Sequence, residues 1–475
     1  MRIHRMSRIA AVATSGVLIL FAASGPAVAQ PSTVPGAAEL GFAKPPPLPP
    51  GSPVPEDSGK PDLPYAQKVQ CVRSLNETVD LINKPWGQNQ LRFDDLHKFA
   101  TGEGQAVAVI DTGVNRHDFL GGRLTGGGDY VSDKNGLEDC DGHGTEVAGI
   151  IAANPNDPNI GFTGIAPDAR IVSIRQSSAN YSGKDESDPN ATERTAGNLL
   201  TLAQAIVRAA NTAGVGTINM SVDNCRLAGP ITLPEVAVQS ALRYAVEERN
   251  VVVVASAGNL NENGCNQQNG PDSNRPTTIV TPPWFSDYVI SVAAMDKTGD
   301  PATFSVQGPW VSVAAPGTEI ISLDPGNPHG LANLLLTKDN KQSTIQGTSF
   351  AAPYVAGLSA LIRQRYPTLN AKQVMNRIKV TASHPAATGG RDNLVGHGMI
   401  NPVGALTAMI PSELGIPADK AGNITFEPTP PIERNWTPVR VALIGSAGGV
   451  ALLLLTLFVV HTIRVGRRNR RDLLG

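Results

Sequence analysis

Residues 106–113 read Ala106-Val107-Ala108-Val109-Ile110-Asp111-Thr112-Gly113. Five apolar residues in succession leave no polar face. Such a strand is buried on both sides, as a central strand is in a parallel sheet covered by helices. The run stops at a carboxylate, followed by a turn-forming glycine. In open parallel sheets chemistry gathers beyond the carboxyl ends of the strands. Asp111 is therefore where a site is expected to begin.

Working outward, short apolar runs recur at 171–174, 215–220, 251–255 and 289–293. Helix-like stretches at 143–153, 198–213, 233–248, 350–365 and 370–382 separate many of them. Strands alternating with helices predict an α/β domain with a mostly parallel sheet, over residues 90–410. The polar stretch 176–197 has no periodicity and reads as a long loop.

Composition excludes several classes. With 41% hydrophobic and 17% charged residues, the 475-residue chain is not wholly disordered. A net charge of -2 gives no basic balance, so no nucleic acid is expected as a partner. The 48 glycines and 38 prolines have no period, which excludes collagen. Four cysteines are too few to staple a miniprotein but allow two bridges in an oxidising compartment.

The ends carry their own signals. Residues 1–29 read as a secretory signal: Arg2, Arg5 and Arg8, an apolar run from Ile9 to Ala23, then Ala27-Val28-Ala29. A membrane anchor is the alternative, for which the run is short. Residues 30–89 form a proline-rich extension, with 11 prolines in 31–64, and favour an extended polyproline form. Residues 411–440 read as a second proline-rich stalk. The stretch 441–463, bounded by Arg440 and Arg464, holds 23 residues with no formal charge except a possible His461. That suffices for one helical span of roughly 20 residues; a buried core helix is the alternative. The tail 464–475 contains Arg467, Arg468, Arg470 and Arg471 and is expected to stay cytoplasmic. Together these predict a single-pass protein of the cell membrane, its folded domain outside the cytoplasm on the periplasmic side.

Three glycine-flanked motifs carry the candidate chemistry. Asp111 lies in Asp111-Thr112-Gly113, His143 in Asp141-Gly142-His143-Gly144-Thr145, and Ser349 in Gly347-Thr348-Ser349-Phe350-Ala351-Ala352-Pro353. Each is ambiguous alone. Asp-Thr-Gly also belongs to aspartic proteases, which need two such carboxylates. Ser349 is not in a G-x-S-x-G elbow. A lone histidine at a helix start is most often structural. Together they meet the needs of nucleophilic catalysis: a hydroxyl, a base to take its proton, and a carboxylate to orient that base. Asn259, in Ser256-Ala257-Gly258-Asn259, could donate to an oxyanion beside the Ser349 N–H; alone, an asparagine after glycine forms a turn. The glycines are expected to keep side chains out of a substrate's way. Pro353 is expected in the first turn of its helix, where it is tolerated.

The motifs AVIDTGV (108–114), DGHGTEVAGIIA (141–152), SAGN (256–259) and GTSFAAPYVAGLSALI (347–362) resemble those of the subtilisin-like serine proteases, the subtilases. The resemblance covers residues 90–410. It implies a three-layer fold, with a parallel seven-stranded sheet flanked by helices, and endopeptidase activity without a cofactor. It implies Asp111, His143 and Ser349 as the triad and Asn259 as the oxyanion donor. Strand 217–222 would pair with the substrate backbone, with Ser221, Val222 and Gly258 in contact with substrate. Members usually carry glycine soon after that serine. Here Val222-Asp223-Asn224-Cys225 follow, and a narrower pocket is expected for the residue before the scissile bond.

The appendages, with Lys84-Pro85-Trp86 and Ile165-Ala166-Pro167-Asp168-Ala169-Arg170, resemble the mycosins, the membrane-anchored subtilases of type VII secretion systems. That implies exported proteins as substrates and the secretion membrane complex as partner. A mainly structural subunit of that complex is the alternative. Four cysteines allow three pairings. In the family's sheet Cys225 and Cys265 follow neighbouring strands, which implies a bridge between them. Cys71 is left with Cys140, tying the extension near His143 as a permanent part of the protein. Asp129, Asp133, Asn135, Asp139 and Asp141 offer oxygen ligands but lack EF-hand spacing. They read as a solvated acidic loop, and no metal is expected.

Overall fold

The computed structural model of the chain describes residues 41–73, 83–132, 134–272, 274–336, 342–416 and 436–471. The expected signal at 1–29 lies outside them, as do 417–435 of the expected stalk and the last four residues of the tail. Packing divides the chain into a unit ending at Ile416 and another from Pro417 onward.

The run that begins at Ala106 becomes an inner strand of a seven-stranded sheet, β1 (Ala106–Asp111). The others are β2 (Leu124–Asp129), β3 (Arg170–Arg175), β4 (Val215–Met220), β5 (Val252–Ser256), β6 (Ile290–Met295) and β7 (Val311–Pro316). Their spatial order is β7-β6-β5-β4-β1-β3-β2, with every pair parallel. The chain leaves β3 on one side of β1 and enters β4 on the other. The switch point of the topology therefore falls at the carboxyl end of β1, where Asp111 sits opposite Arg175. Two strands carry no readable signal in the sequence. Thr125-Gly126-Gly127-Gly128 of β2 has no apolar run, and β2 exists through its pairing with β3. In β7, Ser312 and small residues dilute the pattern.

Helical layers cover the sheet. Helix α1 (His143–Ala152) packs against α4 (Thr348–Arg365), which runs over β4, β5, β6 and β7 and is buried from Thr348 to Ile362. Helices α2 (Leu199–Asn211) and α3 (Leu233–Arg243) pack on each other, with α2 also on β1 and β4. Asn198 caps α2 by accepting from Leu200 N and Thr201 N, and Thr232 with Glu235 forms a capping box on α3. Helix α5 (Ala371–Thr381) follows α4.

Four expectations need correction. The stretch 176–197 is not wholly a loop: Ser178–Gly183 and Arg194–Ala196 pair antiparallel, and Ala66–Gln67 of the extension adds a third strand. The expected helix 233–248 stops being α-helical at Arg243 and widens into a π turn, Tyr244–Glu248. Helix α4 starts at Thr348, so Pro353 is its sixth residue and not in the first turn. Proline there cannot donate to the carbonyl four residues back, that of Ser349. The Ser221 hydroxyl takes that place, donating to Ser349 C=O at 2.7 Å. Finally, the acidic stretch is not wholly solvated. Asp129 and Asp139 are buried and accept from nearby N–H groups, Asp129 from Val131 and Ser132.

The extension lies along the domain. A proline-rich segment offers carbonyls but few N–H groups, so it needs donors from elsewhere. Trp284 Nε1 donates to Phe42 C=O (2.9 Å), Gln239 Nε2 to Pro46 C=O (2.9 Å) and Ser240 Oγ to Pro53 C=O (2.6 Å). Asp57 accepts from Tyr130 OH at 2.6 Å and pairs with Arg208 at 2.8 Å. The Cys71–Cys140 disulfide and Val72 N–H to Cys140 C=O (2.8 Å) bring the extension to the foot of α1.

The second unit contains a helix, Thr437–Arg471, which exceeds the expected span 441–463 at both ends. Among the described residues it is the one helix long and apolar enough to cross a membrane.

Candidate active site

A cleft of about 450 Å³ opens beyond the carboxyl ends of β1, β3 and β4. Its wall includes Asp111, His143, Ser221, Val222 and Ser349. Three residues far apart in sequence meet here because a strand ends and two helices begin at the same place.

Asp111 is fully buried at the end of β1. Its Oδ1 accepts from His143 Nδ1 at 2.7 Å and from Thr112 N–H at 2.8 Å. With Nδ1 donating, the His143 Nε2 lone pair is left for another proton. Burial opposes charge on this imidazole, but the adjacent Asp111 carboxylate outweighs it and raises the ring to about 9. The Phe350 ring packs against the imidazole, with centroids 5.1 Å apart.

His143 is the first residue of α1, and its place depends on Asp139. The helix cap, Gly142, has no side chain to satisfy the first N–H groups. Asp139 does so from outside, accepting from Gly142 N–H (2.7 Å), Thr145 N–H (2.8 Å), Thr145 Oγ1 (2.6 Å) and Thr112 Oγ1 (2.8 Å). The sequence reading assigned Asp139 no part here. An aspartate three residues before the glycine that precedes the expected helix is the one sequence signal that pointed to it. Gly142 itself has φ +83°, and a Cβ there would meet Val72 Cγ1 at 2.6 Å. The space it leaves is filled by the extension, not held open for substrate.

Ser349 is the second residue of α4, so its N–H has no intrahelical acceptor and faces the positive end of the helix dipole. Its carbonyl is held by Ser221 Oγ, which in turn accepts from Asn219 Nδ2 at 2.9 Å. Asn259 is buried beside it. Its Oδ1 accepts from Thr348 N–H (2.9 Å) and Thr348 Oγ1 (3.0 Å), which fixes the orientation of the amide. The Nδ2 end then donates to Glu262 Oε2 at 2.9 Å. Thr348 and Glu262 were both missed, although Thr348 stands inside the quoted motif.

Of the three expected substrate contacts, Ser221 and Val222 line the cleft, as do Leu199 and Leu202. Gly258 does not. Its N–H donates to Thr348 Oγ1 (3.2 Å) and its C=O accepts from Val306 N–H (2.9 Å). Its φ of +101° turns the chain so that Asn259 follows in place. The four cysteines pair as Cys71–Cys140 and Cys225–Cys265. Among the described residues, no group of three or more His, Cys, Asp or Glu is arranged to hold a metal ion.

The sequence profile described as "Subtilase family" matches residues 102–398. Mycosin-1 of Mycobacterium tuberculosis is 43% identical over 423 residues, which is 84% of this chain and 91% of that protein. A solved structure of "a serine protease MycP1, an essential component of the type VII (ESX-1) secretion system" matches with a TM-score of 0.69 at 43% identity, covering 77% of this chain and 100% of that one. A chain of "an intact ESX-5 inner membrane complex" matches with a TM-score of 0.72 at 37% identity, covering 86% and 98%. Sequence, fold and site agree: the chain belongs to the subtilase family of serine proteases, in its mycosin branch.

Proposed function

We propose that this protein is a membrane-anchored endopeptidase that works outside the cytoplasm on a small set of proteins exported by a type VII secretion system. The supporting observation is the 2.7 Å contact of His143 Nδ1 with buried Asp111, in a cleft that also contains Ser349. In this reading His143 Nε2 takes the Ser349 hydroxyl proton as Oγ attacks the peptide carbonyl carbon. Asn259 Nδ2 and the Ser349 N–H receive the oxyanion; in subtilisin itself, loss of one such donor costs about 3 kcal/mol of transition-state stabilisation. His143 then protonates the leaving amine, and water releases the acyl group from Ser349. The C-terminal helix is the anchor, with its basic end in the cytoplasm. The extension, bridged at Cys71–Cys140, stays with the mature enzyme. A proteome-derived peptide library, digested by the full-length protein and by Ser349→Ala, tests the chemistry. Cuts that vanish in the variant are expected; identical cuts from both would refute it.

A second reading is favoured by one observation, the match to a chain of an inner membrane complex. In it the protein is a structural subunit of the secretion machinery as well as an enzyme. A Ser349→Ala strain separates the two roles. Normal secretion of uncleaved substrate supports the structural role, and blocked secretion ties transport to proteolysis.

A further inference from the structure

The cleft that contains Ser349 is also lined by two carboxylates, Asp223 and Glu262, that the proposed triad does not use. They come from different loops. Asp223 lies three residues beyond the end of β4, and Glu262 three beyond Asn259. The loops are joined by the Cys225–Cys265 disulfide and by Cys225 N–H to Asn263 C=O at 2.9 Å. Asn261 N–H to Cys265 C=O (2.9 Å) and Cys265 N–H to Glu262 C=O (2.8 Å) close the second loop into a tight turn. Both acids are thus presented on one braced wall.

Their hydrogen-bond partners are neutral. Asp223 accepts from Asn263 Nδ2 at 2.9 Å, and Glu262 from Asn259 Nδ2 at 2.9 Å. The other carboxylates of the cleft are engaged elsewhere: Asp111 with His143, Asp141 with the Ser178 hydroxyl and Ala179 N–H. No lysine or arginine is among the described residues lining the cleft. Burial, and the charge of nearby Glu262, push Asp223 up to about 6. A cation placed between the two acids would relieve that repulsion.

We infer that Asp223 and Glu262 form an acidic subsite for the side chain of the residue whose carbonyl is attacked, so that the enzyme cuts after lysine or arginine. The inference rests on the protease reading of this site. The assignment to that residue follows from Asn259. Its Nδ2 group is the donor proposed for the scissile carbonyl oxygen and already touches Glu262. The side chain attached next to that carbonyl is the part of a substrate nearest to the acids.

The test uses full-length protein in detergent and peptides built on one cut site from the library, varied only at that residue. With lysine or arginine there, kcat/KM is expected to exceed that with glutamine or methionine by about tenfold, and that with glutamate by about a hundredfold. In Asp223→Asn/Glu262→Gln the lysine-to-glutamine ratio should fall to about two or less. Glu262→Lys should move the preference toward glutamate. Labelling with a serine-directed fluorophosphonate reads Ser349 separately. If labelled wild-type protein cuts lysine and glutamine peptides equally, the acidic subsite is refuted and the protease reading stands. If nothing is labelled or cut, the protease reading falls and takes the subsite with it.

Discussion

Replacing Ser221 by alanine should loosen the nucleophile without touching it. The hydroxyl links Asn219 Nδ2 (2.9 Å) to the Ser349 carbonyl (2.7 Å), and both residues around it are buried. Its loss breaks two hydrogen bonds between buried groups. At about 1 kcal/mol for each bond, and more for a buried group left unpaired, Ser221→Ala should cost about 2–3 kcal/mol of stability. For a domain of this size that is a fall of about 5 °C in melting temperature. The second arm is Pro353→Ala, which restores an N–H four residues after Ser349, where a helix would normally donate to that carbonyl. The double variant Ser221→Ala/Pro353→Ala should therefore recover about 1 kcal/mol relative to the sum of the singles. Thermal unfolding of the four proteins, with kcat/KM on one peptide, completes the cycle. An unchanged melting temperature in Ser221→Ala, or strict additivity in the double variant, would show that Ser221 does not stand in for the missing N–H.

Two further outcomes follow from the site's surroundings. Because Asp111 raises His143 from 6.5 to about 9, the free base is scarce at neutral pH, and kcat/KM should climb until about pH 9. Asp111→Asn should bring that limb back toward 6.5 while lowering kcat by about four decades. The same shift makes the imidazolium a stabilising charge, fully present below pH 6.5 and lost as pH rises through about 9; a wild-type limb at or below 6.5 would contradict this coupling. The Cys71–Cys140 bridge closes a loop with a sequence separation of 69, worth about 4 kcal/mol in the unfolded chain. Cys71→Ser/Cys140→Ser should melt well below wild type and expose residues 41–73 to an added protease; wild-type resistance at that segment would refute its dependence on the bridge.

Much of this protein is legible in its residues because the signals are local. Ala106–Ile110 is apolar throughout, so it had to be a strand buried on both faces, and the carboxylate after it had to stand at a strand end. Helices α2 and α5 begin where asparagine caps them, within a residue or two of the expected starts. The glycine-rich neighbourhoods of His143 and Ser349 marked them for close contacts before any contact was known. The apolar stretch 441–463 was likewise readable as a run of hydropathy, which needs no partner to be seen, and it lies within the long C-terminal helix.

Contacts between distant segments are a different matter. Nothing local to Leu124–Asp129 says strand; its glycines become one only when β3 offers a ladder. Nothing local to Pro353 says that its missing N–H would be answered by Ser221, 132 residues earlier. The partner of Asp139, the fit of Val72 over Gly142, and the meeting of Asp223 with Glu262 on one wall were equally invisible. Sequence alone determined which residue types were available, most of the core strands and helices, the apolar C-terminal stretch, and the family. Tertiary structure decided which polar atoms satisfy one another. A buried hydrogen bond needs a donor and an acceptor within about 3 Å, and only the folded chain sets that distance.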